Sequence, residues 1–186
     1  MMASRHLRLI ATDAAEVVDP SVDHALTFDA VFRAHATYVE RVALRVLGRR
    51  GDVDDVVQDV FVTVLDRLPE LRDPKAVRGW LAMITVRMAR RSLRSRRMRI
   101  WLGIDGDHDY TQLADPAATA ADRVLITQLY RALDRLPVGH RLAWTLRHVE
   151  QLELDEVART CGCSRATTKR WIAAADALLR EEVDHG

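Results

Sequence analysis

The positions Phe28, Val31, Phe32, His35, Val39, Val42 and Val46 fall three and four residues apart. They form one stripe of an amphipathic helix, ended near Gly48 and Gly51. The next segment is rich in valine, so β-propensity alone would read it as a strand. Its spacing decides for a helix. Val53, Val56, Val57, Val60, Phe61, Val64 and Leu68 recur at helical intervals, while Asp55, Gln58, Asp59 and Asp66 fall elsewhere round the turn. Asp52 is the expected cap and Pro69 follows the end. Asp73-Pro74 opens a third helix with Val77, Trp80, Leu81, Ile84 and Met88 turned inward, and Gly79 marks a bend near its start.

After Arg99, Gly103, Asp105, Gly106 and Asp107 interrupt the pattern, and Asp115-Pro116 leads into a second run of helices. Leu125, Leu129, Leu133 and Leu136 line the first of these. Pro137 opens the second, with Leu142, Leu146 and Val149 inward. A third covers 153–161, and a last runs from the Ser164 cap to about Leu179. No strand pattern occurs. The expectation is an all-α chain of two small helical domains joined by a flexible acidic linker, the C-terminal one a helix-turn-helix. The boundaries are a mobile arm over 1–26, a first domain over 27–99, the linker over 100–121 and the second domain over 122–186.

Net charge, at +1, is uninformative, but its distribution is not. Between Arg78 and Arg99 every charged residue is an arginine, and between Leu102 and Asp122 every one is acidic apart from His108. A basic block followed by an acidic spacer suits a polyanionic partner, and guanidinium suits phosphate forks and base edges. No apolar run approaches the roughly 20 residues of a membrane span. The N-terminus lacks the apolar core and cleavage site of a signal peptide. Cytoplasmic location, without membrane insertion, is the expectation.

The most specific local pattern is Glu156-Val157-Ala158, Gly162, Ser164, Thr167 and Lys169. Ala158 is small where two helices must cross closely. Gly162 can take the left-handed backbone of a tight turn. Ser164 caps a second helix whose first residues would enter a major groove. Arg165, Lys169 and Arg170 fall on its outer side, with Thr167 near its start as a phosphate or base contact. Thr168, Ile172 and Ala175 fall on its inner side.

Asp54-Asp55-Val56-Val57-Gln58-Asp59-Val60-Phe61 followed by Arg78-Gly79-Trp80-Leu81, Ile84 and an arginine tail resembles the second conserved domain of extracytoplasmic-function sigma factors of bacterial RNA polymerase. Leu133, Leu136-Pro137, Arg141, Leu146, Glu150, Leu152 and the pattern from Glu156 to Lys169 resemble that family's C-terminal domain. The resemblance implies a subunit that joins core RNA polymerase, reads the −35 and −10 elements of promoter DNA and promotes strand opening. Asp55, Gln58, Asp59 and Val62 would dock on the polymerase. Residues Leu71 to Arg78, Lys75 among them, match the loop that captures an extruded base of the −10 element. Extrusion costs a few kcal/mol of unstacking, so a pocket beside a cationic groove makes physical sense. Arg78, Arg87, Arg90, Arg91 and Arg94 would line that groove. Arg165, Thr167, Lys169 and Arg170 would read the −35 element. An anti-sigma factor is a further partner common in the family, and the free chain is expected to be a monomer. Members often carry Asn at the position of Arg87, Asp near Arg91, and a capping Ser at the position of Glu153.

Other chemistries fit less well. The seven histidines are scattered, and no nucleophile–base set, phosphate loop or paired-carboxylate motif stands out, so no enzyme activity, cofactor or catalytic residue is assigned. Cys161-x-Cys163 with His140 or His148 could hold zinc or sense redox state, but two cysteines packed round a turn explain them more simply, and no metal site is assigned. An ordinary helix-turn-helix regulator would account for 122–182, yet it leaves the acidic and arginine-rich helices without a purpose. Trp80 is read as a core residue rather than a stacking platform.

Overall fold

The computed structural model describes residues 26–104, 110, 113, 114 and 117–184. The expected arm over 1–25, and Asp105, Asp107, Asp109 and Asp115 of the acidic linker, lie outside the described residues. Among those described there are seven α-helices and no strand.

Helix α1 spans Phe28–Leu47, begun by Thr27, whose Oγ1 accepts from the Ala30 N–H at 3.3 Å, and ended by Gly48 at φ +77°. Helix α2 spans Val53–Arg67 after a 3-10 turn at Arg50–Asp52. Asp52 precedes α2 but does not cap it. Its backbone is already helical (φ −102°, ψ −5°), so its carboxylate cannot turn back onto the first amides. It pairs instead with Arg49 at 2.6 Å and Arg99 at 3.6 Å. Helix α3, Val77–Trp101, follows a 3-10 turn at Pro74–Ala76 in which Asp73 Oδ1 accepts from the Lys75 N–H at 2.9 Å. Helix α3 continues through Gly79 without a break. These three helices pack round Val39, Val42, Val46, Val60, Val64 and Leu81, all fully buried.

The second module comprises α4 (Ala120–Arg135), α5 (Val138–His148), α6 (Leu154–Cys161) and α7 (Arg165–Asp184). A reciprocal cap starts α4: Thr119 Oγ1 accepts from the Asp122 N–H and Asp122 Oδ2 from the Thr119 N–H. The buried stripe of α4 is Ile126, Tyr130 and Leu133, whereas Leu125 is 38% exposed. Of the expected leucine row, Leu133 and Leu136 are buried and Leu129 packs against the core, so Leu125 alone stands outside it. Leu142 and Leu146 of α5 are buried as expected.

The two modules are packed against each other, through α1 with α5 and α3 with α5 and α6. Their apolar side chains form one continuous buried cluster. The linker is anchored within it: Tyr110 is 1% and Leu113 4% exposed, and the Tyr110 ring stacks on Tyr130 at 5.6 Å.

The seam between the modules is polar at its centre. The last carbonyls of α1 lie buried where no further helical turn can satisfy them. Arg141 of α5 donates to Val46 O at 3.1 Å and to Leu47 O at 2.8 Å. Arg96 of α3 donates to Leu47 O at 3.0 Å. Both guanidinium groups, each 2% exposed, also bind the Asp134 carboxylate, and the Tyr110 hydroxyl donates to its other oxygen. Tyr130 OH donates to Arg45 O at 2.8 Å, and Arg45 pairs with Glu150 at 3.2 Å. Burial pushes the Tyr130 phenol up and the Arg141 guanidinium down, Asp134 opposing the latter.

Gly48 sits under this seam. A Cβ there would lie 2.5 Å from the Tyr130 ring in a left-handed backbone, whereas one at Gly51 would meet nothing within 4 Å. Gly48→Ala should lower the free energy of unfolding by about 2 kcal/mol or more, and Gly51→Ala should change it little. Urea titration of the two variants checks this; equal midpoints would contradict it.

Candidate nucleic-acid interface

Helices α6 and α7 meet through Gly162, at φ +65° and ψ 42°. The turn closes with Gly162 N donating to Arg159 O at 3.1 Å and Cys163 N to Ala158 O at 3.0 Å. Ser164 Oγ accepts from the Thr167 N–H at 3.1 Å and so caps α7. The buried Thr168 hydroxyl donates back to Ser164 O, at 3.1 Å. With Ile172 and Ala175 it faces Val157, Ala158 and the core, as the pattern predicts. Glu153 is less of a departure than its side chain suggests. The Glu156 carboxylate accepts from the Glu153 N–H at 3.1 Å, satisfying a free donor at the start of α6. The Trp171 ring packs over Gly139, where a Cβ would come within 3.0 Å of it.

On the outer face of α7, Arg165, Lys169 and Arg170 are exposed, and Thr167 is half-buried with its hydroxyl 2.9 Å from Ser164 Oγ. Arg165 pairs with Asp155 at 3.4 Å, both side chains being mostly exposed. Such a pair contributes under about 1 kcal/mol, too little to hold Arg165 from a phosphate or a base.

The basic residues of the first module do not share one face. Arg87, Arg91 and Arg94 are exposed and fall within about 60° of arc along α3. Arg78 is half a turn away, its guanidinium 4.6 Å above the Tyr38 ring, and Lys75 stands exposed in the preceding turn. Arg90 is half-buried and donates to Cys161 O in the helix-turn-helix at 2.6 Å, so in this arrangement it serves the seam between the modules. Arg97 likewise reaches Leu136 O, at 3.4 Å. Trp80 is half-buried against the core, in keeping with its reading as a packing residue.

Asp55, Gln58, Asp59 and Val62 lie together on the exposed side of α2. Beside them, α1 and α2 form a groove of about 550 Å³ lined by Phe28, Phe32, Val57, Phe61 and Leu65 and edged by Glu40 and Asp54. Phe32, placed by its spacing in the buried stripe, is 43% exposed and packs edge-on against Phe61 at 4.7 Å. The aromatic rings shelter one another at the end of the module, leaving an outer face open.

Among the described residues no group of three His, Cys, Asp or Glu side chains could hold a metal ion, and Cys161 and Cys163 are free thiols. None of the helices described is long and apolar enough to cross a membrane.

Residues 31–99 match the family model for Sigma-70 region 2, and residues 126–175 that for Sigma-70, region 4. The extracytoplasmic-function RNA polymerase sigma factor SigE of Mycolicibacterium smegmatis is 32% identical over 170 residues, which cover 89% of this chain and 65% of SigE. The chain belongs to the extracytoplasmic-function sigma factors of bacterial RNA polymerase. A probable sigma factor of Xanthomonas campestris pv. campestris, RfaY, is 27% identical over 91% of this sigma factor and 46% of its own length. The chain thus spans about half to two thirds of the curated relatives it matches here. Two solved structures share the fold. RpoE of Bartonella quintana, in complex with the anti-sigma factor NepR, superposes with a TM-score of 0.63 at 18% identity, over 84% of this chain and 96% of that one. CnrH, in complex with the cytosolic domain of CnrY, does so at 0.58 and 24%, over 85% and 88%.

The cysteines of this sigma factor differ in what they offer a reagent. Burial pushes the Cys161 thiol up to about 11, outweighing the nearby Arg90, whereas Cys163 is partly exposed. An alkylating agent at pH 8 should label Cys163 well before Cys161 in the folded protein, since the thiolate is the reactive form. Peptide mass spectrometry reads the order; equal rates would contradict it.

Proposed function

We propose that this chain joins core RNA polymerase in the cytoplasm and directs it to promoters, performing no chemistry itself. In this reading Arg165, Thr167, Lys169 and Arg170 of α7 contact the −35 element. Arg87, Arg91 and Arg94 track the melted strand at the −10 element, Lys75 and Arg78 flank the loop that receives its extruded base, and Arg90 joins them. Asp55, Gln58, Asp59 and Val62 of α2 engage the polymerase. An anti-sigma factor is a further partner, and the free chain is a monomer.

The observation that supports this best is the separation of roles on one chain. Exposed cations lie on two distinct modules, each matched by its own sigma-70 region, while the acidic face of α2 stays open. An operator-binding regulator needs only the first of these surfaces, and duplex binding by α7 alone would suffice for it.

Reconstitution separates the two. Core polymerase with this chain should start transcripts at promoters that core alone ignores; specific duplex binding by the chain with no change in initiation would overturn the proposal. Within that assay Arg165→Ala should weaken dependence on the −35 element by about 1–3 kcal/mol if its contact is bidentate. Unchanged promoter preference in runoff transcription would remove Arg165 from the reading surface. Asp59→Arg should reduce co-elution with core while leaving the helical content intact, because it reverses a charge on an exposed face; full co-elution would remove Asp59 from the docking surface.

A further inference from the structure

The exposed stripe of α3 does not end with its arginines. Counting on from Arg87, Arg91 and Arg94 in steps of three and four, the same face next presents Met98 and Trp101. These five fall within about 80° of arc and rise about 21 Å along the helix. All are exposed, Met98 at 58% and Trp101 at 79%. No acidic residue stands between Arg78 and Trp101, and Arg87, Arg91 and Arg94 have no ion pair among the described residues. The match to Sigma-70 region 2 stops at residue 99, so it gives Trp101 no role.

Packing does not explain this indole. The other three tryptophans are covered: Trp144 is buried, and Trp80 and Trp171 lie half-buried against the core. Trp101 ends its helix with most of its ring in water. Of the eleven large apolar side chains exposed among the described residues, five lie between Met98 and Ile104. One such residue is ordinary on a surface, but a cluster at the end of a cationic stripe marks a place of contact.

The composition of the stripe selects its occupant. Guanidinium groups spaced along one face follow a phosphate backbone, and an aromatic ring among them offers a base a surface to stack on. Inside a duplex the faces of each base are already covered by its neighbours, so an unpaired strand is what can use the ring. A helical side chain leans toward the start of its helix, which brings the phosphates of a base on Trp101 toward Arg94. An apolar protein partner would instead have to cover three cations that it does not neutralise.

Resting on the sigma-factor reading, we propose that Trp101 stacks on a base of the melted promoter strand and so extends the arginine row by one aromatic platform. Stacking accepts any base, since every base has a π-face. Trp101 therefore grips the opened strand without choosing its sequence. That choice stays with the loop from Leu71 to Arg78 and with α7.

The test uses the full chain assembled with core polymerase, as wild type, Trp101→Phe and Trp101→Ala. The probe is the fluorescently labelled single strand of a −10 segment from a promoter that the chain activates, carrying one abasic nucleotide at each position in turn. Anisotropy reads the affinity. Trp101→Ala should bind the intact strand about tenfold more weakly than wild type, with Trp101→Phe between them and helical content unchanged in both. One abasic position should weaken wild type by a similar factor and leave Trp101→Ala unaffected. Equal affinity of wild type and Trp101→Ala for the intact strand, or the same abasic profile for both, would overturn the proposal. So would weaker assembly of Trp101→Ala with core at unchanged strand affinity, which would make the indole a protein contact. Failure of the sigma-factor reading would look different: wild type itself would not assemble with core, and the proposal would fall with it.

Discussion

The carbonyl end of α1 is the constraint from which the rest of the arrangement follows. Val46 and Leu47 finish a helix inside the protein, and their oxygens must find donors or remain buried and unpaired at a cost of about 1–3 kcal/mol each. Two arginines supply those donors, one from α3 and one from α5. Guanidinium groups cannot be discharged in a protein, so burying them demands an anion. Asp134 supplies it, and its position near the end of α4 draws the second module onto the first. Gly48 then has to be glycine, because the chain reverses under Tyr130 with a positive φ.

This explains why a chain that matches two separate sigma-70 regions is packed as one body. Each module has its own helices and caps, but the core runs through both. The surfaces offered to other molecules are arranged round the outside. The acidic side of α2 with its aromatic groove, the arginine row of α3 and the outer face of α7 all remain accessible.

Much of this was legible in the residues alone. Valines three and four apart outweighed their own strand preference in α2, and Ala158, Gly162 and Ser164 announced the helix-turn-helix because each answers a local steric or capping need. Local rules failed where distant contacts decided. Asp52 left its capping role for Arg49, three residues before it, and for Arg99, which sequence distance hides. On α4 the leucine row held except at Leu125, while the burial of Tyr130 went unread because its hydroxyl's acceptor, Arg45 O, lies in the other module. Arg90 looked like its neighbours until the turn at Cys161 was brought beside it. Arg96 could have been singled out. It continues the apolar series Val86, Ala89 and Leu93 at helical spacing, so an inward-facing arginine was written there, although its acceptors were not. Tyr110, a lone aromatic in an acidic spacer, carried a similar hint.

The central claim is that one chain reads two distant DNA segments while held by polymerase. Hydroxyl-radical footprinting of core polymerase assembled with this chain on a promoter it activates tests that directly. Two protected segments about 25 base pairs apart, both lost when the chain is omitted, are the predicted result. A single segment at the site of α7, or the same protection without polymerase, would contradict it.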